Sequence, residues 1–213
     1  LNEARQLGDL ELEGYCHHAL MVVEIEAGRP GKAASCGWEA YRRYESLDQR
    51  MRALQDCGVL LYQWGLLDAA RSAFEIVLAR HSDTASQFRA STGLADVAAA
   101  MGDRLRFEAL VSELLSEKTA AGMPFELVSC YGTLGDGYAT FGETVKARSF
   151  LVKGLALARE KGFDAEAREL EDRLAELGAA PLSFVPHETS LDERDRLKDV
   201  GRKIMAERAR GVA

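Results

Sequence analysis

The sequence predicts an all-α fold, and three observations carry that reading. Its 213 residues include 32 Ala and 28 Leu against three Ile and 12 Val, so the apolar share comes from helix formers rather than the β-branched residues that fill sheets. Only four Pro interrupt the chain. Glycines at 28, 65, 102 and 142 each follow an apolar-periodic stretch and precede a segment rich in small residues, with spacings of 37, 37 and 40 residues. Such a period marks repeated helical hairpins and argues against an all-β or doubly wound α/β fold.

Composition bounds the function as well. With 27 Lys plus Arg against 34 Asp plus Glu, the net charge of -7 disfavours binding nucleic acid through phosphate neutralisation. No run of about 18 apolar residues exists, and the first 20 residues carry Glu, Arg and Asp without a leader-like apolar core, so the chain reads as soluble, with no membrane span. Cysteines 16, 36, 57 and 130 form no CxxC pair and sit inside apolar helical patterns, where a thiol behaves as a small hydrophobe. We expect a reducing cytoplasm and no disulfide.

The elements follow in order. Ala4, Arg5 and Gly8 look like the closing stretch Ala158, Arg159 and Gly162, so residues 1–8 read as the remnant of a preceding repeat helix in a chain cut from something longer. Residues 9–178 form the repeat domain, with units over about 10–46, 47–83, 84–122 and 124–162. Each glycine of the series ends a first helix in the left-handed conformation, and Asp103 and Glu143 favour the helix that follows. Residues 164–177 carry Ala167, Leu170, Leu174 and Leu177 at helical spacing, a capping helix. The turns between units include His81, Ser82, Asp83 and Thr84, and Ala121, Gly122, Met123 and Pro124. After a break at Gly178, Ala179, Ala180 and Pro181, Ser190 and Glu193 open a charged last helix over roughly 190–209. Residues 179–213 are thus linker and tail; the tail helix either is solvated or packs back on the array, or else leads to another domain or a partner.

The second unit places Leu54, Cys57, Gly58 and Leu61 on a first helix, then Ala70, Phe74, Val77 and Leu78 on a second; the fourth repeats this with Tyr131, Leu134, Gly135 and Tyr138, then Ala147, Leu151, Gly154 and Leu155. The third (Ser91, Leu94, Ala95, Ala98, Phe107, Val111, Leu114) and first (His17, Leu20, Met21, Glu24, Ala33, Gly37, Ala40) are degenerate versions. Gly58 and Gly135 let the second helix approach the first, with Ala70 and Ala147 doing the same from the other side. This pattern resembles the tetratricopeptide repeat family, in an extended 37 to 40 residue form like the helical sensor arms of bacterial signalling proteins. The resemblance implies a right-handed superhelical solenoid of stacked antiparallel helix pairs, about four repeats plus the capping and tail helices, in a bacterial regulatory protein.

The resemblance also implies that first helices line a concave groove. By register the inward positions are Tyr15, His18, Val22 and Ile25; Arg52, Gln55, Val59 and Tyr62; Arg89, Thr92, Asp96 and Ala99; and Ser129, Gly132, Asp136 and Ala139. Arg52 and Arg89 occupy one equivalent position, either to present two guanidinium groups to a carboxylate or phosphate or simply as solvated charge. The Lys and Asn with which family members clamp a terminal carboxylate are missing: His18, Gln55, Thr92 and Gly132, then Val22, Val59, Asp96 and Asp136, stand there.

A search for chemistry finds little. Cys16, His17 and His18 are consecutive and so point about 100° apart on a helix, which prevents convergence on one metal. Gly28 to Lys32 lacks the spacing and the Ser or Thr of a phosphate loop. Asp96 and Asp136 are repeat equivalents rather than an acid and base pair. The expectation is no enzyme, no cofactor and no metal site, but a module that binds a protein or peptide in its groove. A spacer or a homo-oligomerisation domain is the alternative, and a small-molecule sensor built from Tyr15, His18 and Tyr62 a third.

Overall fold

A computed structural model describes residues 1–80, 83–116, 122–177 and 184–211. The segments at His81 and Ser82, at Ala121, and at Gly178, Ala179, Ala180 and Pro181 lie outside the described residues. Within the described residues the regular structure is helical: α1 (Asn2–Leu7), α2 (Leu10–Glu26), α3 (Pro30–Arg43), α4 (Leu47–Gln63), α5 (Leu67–Arg80), α6 (Thr84–Ala100), α7 (Arg104–Leu114), α8 (Pro124–Thr140), α9 (Thr144–Lys161), α10 (Asp164–Glu176) and α11 (Leu191–Gly211). Neighbours in sequence pack as pairs: α2 with α3, α4 with α5, α6 with α7 and α8 with α9. No described helix is long and apolar enough to cross a membrane.

The glycine series does what its spacing predicts. Gly28, Gly65, Gly102 and Gly142 have φ of 69, 77, 72 and 77°, a region that an L side chain enters only with strain. Each closes its helix with the same pair of bonds, as when Gly102 N–H donates to Ala99 and Asp103 N–H to the Ala98 carbonyl at 3.0 and 2.9 Å. Asp103 then caps α7 by accepting from Arg106 N–H at 3.1 Å. Glu143 makes no such cap and pairs instead with Lys146 at 2.7 Å and with Arg104. The end of α1 at Gly8, bonded to Ala4 and Arg5, duplicates the end of α9 at Gly162, bonded to Ala158 and Arg159.

Two compact units result, residues 1–82 with 185–213 and residues 83–184. In the first, Tyr41, Met51, Leu54, Leu61 and Phe74 are buried. Gly58 admits Phe74, since a Cβ there would lie 2.9 Å from the ring and 3.2 Å from Ala73. The tail belongs to this unit: α11 packs on α3 and α5 through Leu197, Val200 and Ile204, all 1% exposed or less. Burying each such side chain stabilises by about 1.5–3 kcal/mol relative to leaving it in water. The tail helix thus packs on α3 and α5.

The capping box at Ser190 forms only by half. Glu193 N–H reaches Ser190 Oγ at 3.4 Å, but the Glu193 carboxylate turns to another helix and accepts from the N–H groups of Gly31 and Lys32 at 2.6 and 3.1 Å. The reason is that α3 has no side-chain cap of its own. Its first free N–H groups lie beside α11, and a carboxylate there satisfies both donors and the helix dipole. Gly31 is required at this contact because a Cβ would strike the Glu193 carbonyl oxygen.

The second unit is built around α8, which carries three glycines facing three helices. A Cβ on Gly135 would sit 2.6 Å from Leu151 of α9, one on Gly132 2.7 Å from Arg173 of α10, and one on Gly137 inside the Phe107 ring of α7. Each glycine costs about 1 kcal/mol of helix propensity, and close packing of Leu134, Leu151, Phe107 and Leu170 offsets it. Helix α6 packs on both α7 and α8, and α10 on both α8 and α9.

Candidate functional site

In the first unit the inward positions of α2 and α4 share one exposed face. Tyr15 is 46% exposed and stands edge-on to Tyr44, ring centroids 5.1 Å apart, with its hydroxyl accepting from Gln49 Nε2 at 3.2 Å. Gly14, whose missing Cβ makes room 2.7 Å from the Tyr44 ring, allows Tyr44 to enter beneath α2. His18 is held at both nitrogens, Nδ1 3.2 Å from the Tyr44 hydroxyl and Nε2 2.8 Å from Asp56 Oδ2. Burial, helped by Tyr15 and Glu11, pushes the Tyr44 phenol up to about 12, so it is a proton donor at neutral pH.

Around this network Val22, Ile25 and Val59 are 53, 43 and 43% exposed. Arg52 is exposed, while Gln55 and Tyr62 are half-buried. What this face offers is apolar and aromatic surface flanked by the cation of Arg52 and the carboxylate of Asp56.

In the second unit the same register positions turn inward. Arg89 donates to Glu126 at 3.2 Å and to Ser86 Oγ at 3.1 Å, so its guanidinium is already engaged, unlike that of Arg52. Asp96 accepts from Thr133 Oγ1 at 3.2 Å, and Asp136 accepts from Arg173 at 2.8 Å. All three links span 37 residues, one repeat, and tie one first helix to the next. Burial and the negative charge of Asp136 push Asp96 up to about 7, against the Thr133 hydrogen bond and Arg173. Asp136 is raised by burial, which Arg173 partly offsets. Burial works against the Arg173 charge, yet Asp136 and Glu169 outweigh it and raise its pKa.

The Cys16, His17 and His18 run does not converge. His17 is buried with both ring nitrogens unpartnered, and burial lowers its pKa, so it is a neutral core side chain. Among the described residues no three His, Cys, Asp or Glu come together as metal ligands. All four cysteines are free; burial raises the thiols of Cys57 and Cys130, the latter to about 12, and keeps both protonated.

Sequence reasoning missed the partners of His18, Arg89, Asp96 and Asp136: Tyr44, Asp56, Glu126, Thr133 and Arg173. The repeat offset itself was the available signal. Adding 37 to Arg89, Asp96 and Asp136 lands on Glu126, Thr133 and Arg173, each a residue able to pair. Compared with known protein families and with curated proteins, the chain matches none.

Proposed function

We propose that the chain is a non-enzymatic interaction module of tetratricopeptide type, a right-handed solenoid of helix pairs that binds a peptide or protein segment along its first helices, in a cytoplasmic regulatory or signalling protein. The observation that carries the reading is the face of α2 and α4, where Tyr15, Val22, Ile25 and Val59 stand in solvent beside Arg52. Exposed aromatic and apolar side chains beside a free guanidinium are the composition of binding hot spots. The partner that fits is a segment with apolar side chains and one carboxylate for Arg52.

Selection of a displayed peptide library on the purified chain tests this, followed by anisotropy titration of the enriched peptides. Tyr15→Ala and Arg52→Glu each weaken binding by about ten-fold or more. Peptides that bind both variants as well as the wild type overturn the reading.

A second reading, self-association, is favoured by a separate face of α2. Leu12 and Val23 are 40 and 52% exposed, and Ala19 lies between them. Aligning Gly8 on Gly162 places Ala19 at the position of Arg173, the α10 residue packed on α8. That face of α2 thus corresponds to one that α10 uses to receive a helix. Sedimentation equilibrium of the wild type and of Leu12→Glu with Val23→Glu decides it: a dimer that the double variant dissociates supports self-association, and a monomer at high concentration removes it.

A further inference from the structure

The first unit holds a half-open cleft of about 380 Å³ between α3, the start of α4 and α11. Its wall is the stacked pair Trp38 and Tyr41, centroids 5.1 Å apart and planes 29° apart. Its rim carries Arg42 from α3, Arg50 from α4, and Lys203 and Arg210 from α11, against one carboxylate, Glu207. In a chain of net charge -7 this is a local concentration of cations from three helices.

The existing partners of these groups leave the cleft positive. The Glu207 carboxylate already accepts from Tyr41 at 3.1 Å and from Arg80 at 3.0 Å, and Arg80 does not line the cleft. Arg42 and Lys203 pair with Glu39 and Asp199 of their own helices at 3.7 and 2.6 Å, and Arg210 with Glu207 at 3.4 Å, short-range pairs whose cations are exposed and open to a stronger anion. Arg50 differs. Its guanidinium lies 5.0 Å over the Tyr41 ring with no anion among the described residues paired to it, and its Nε is shut from solvent without a hydrogen-bond partner among them. Another cleft of the unit, about 310 Å³ beside Gly65 and Met205, mixes Lys198 and Arg202 with Asp68 and has no aromatic residue in its lining.

We propose that the Trp38 cleft binds a small organic phosphate, its phosphate held by Arg50 and Lys203 with Arg42 and Arg210 at the rim, and its organic body against Trp38. Three of the four cations are arginines, whose forked donors match the several equivalent oxygens of a phosphate. The volume exceeds that of a phosphate ion and falls at the lower end of small-molecule sites. Because α11 supplies two of the four cations, occupancy also fastens the tail helix to α3 and α4. This site is separate from the α2/α4 face and does not depend on the function proposed for it.

Phenyl phosphate, with phthalate as a dianion of similar size, is titrated into the full chain at low ionic strength while Trp fluorescence is followed; Trp64 does not line the cleft and contributes a constant background. A saturable change with phenyl phosphate, about ten-fold tighter than with phthalate, is expected. Arg50→Gln with Lys203→Gln abolishes it, and the single exposed change Lys203→Glu, which leaves the core untouched, weakens it by about ten-fold or more. Equal affinity for phthalate, equal binding by Lys203→Glu, or no saturable change overturns the proposal.

Discussion

The two units place the same register positions to different ends. In residues 83–184 the inward side chains of α6, α8 and α10 are consumed by one another: Arg89 by Glu126, Asp96 by Thr133, Asp136 by Arg173. In the first unit Tyr15, Val22, Val59 and Arg52 reach solvent. The difference lies in side-chain size. Gly132 lets Arg173 of α10 come close enough for its rung to Asp136, whereas His18 and Gln55 stand at the equivalent positions of α2 and α4. A repeat register therefore states where a face lies, and the residues on it decide whether that face is a seam or a surface.

The largest expected effect comes from refilling the closest contact of α8. Gly137→Leu drives a side chain into the Phe107 ring and is expected to destabilise the second unit by about 3 kcal/mol, even after the gain in helix propensity. Denaturant unfolding followed by circular dichroism reads it; Val59→Ala, at an exposed position of the first unit, stays within about 0.5 kcal/mol. Removing the cation of a rung comes next. Arg173→Met leaves the Asp136 carboxylate half-buried without its partner and costs about 1–2 kcal/mol. Adding Asp136→Asn restores most of that loss, and a double-mutant cycle measures the coupling.

How much of this was legible in advance follows from the same contrast. Helix boundaries were readable because glycine stops, apolar periodicity and the repeat length are local signals that agree: helices expected within 47–83 and 124–162 run Leu47–Gln63 with Leu67–Arg80 and Pro124–Thr140 with Thr144–Lys161. The first-helix residues Arg89, Asp96 and Asp136 were named from the same register. Their partners were not, because Thr133 and Arg173 look like ordinary surface residues until a neighbouring helix is placed beside them. Glu193 shows the limit most clearly. Its spacing from Ser190 fits a local capping box, yet the unfilled N–H groups of Gly31 and Lys32, about 160 residues away in sequence, take the carboxylate.

The subtlest expected effect is a pH dependence confined to the seam. Asp96 faces Thr133, Asp136, Arg173 and the protonated thiol of Cys130, and its pKa is about 7 in the folded chain against about 3.9 for an unfolded aspartate. Between those values the folded state holds a proton that the unfolded state has released, so stability is highest below about pH 4 in this contribution and is lost as pH rises through 7. The melting temperature of the second unit should fall between pH 5 and pH 8. Asp96→Asn, a permanent analogue of the protonated side chain, should flatten that slope, match the wild type near pH 4 and exceed it at pH 8. An unchanged slope in Asp96→Asn would assign the titration to Asp136 instead, whose pKa is raised by the same burial but opposed by Arg173.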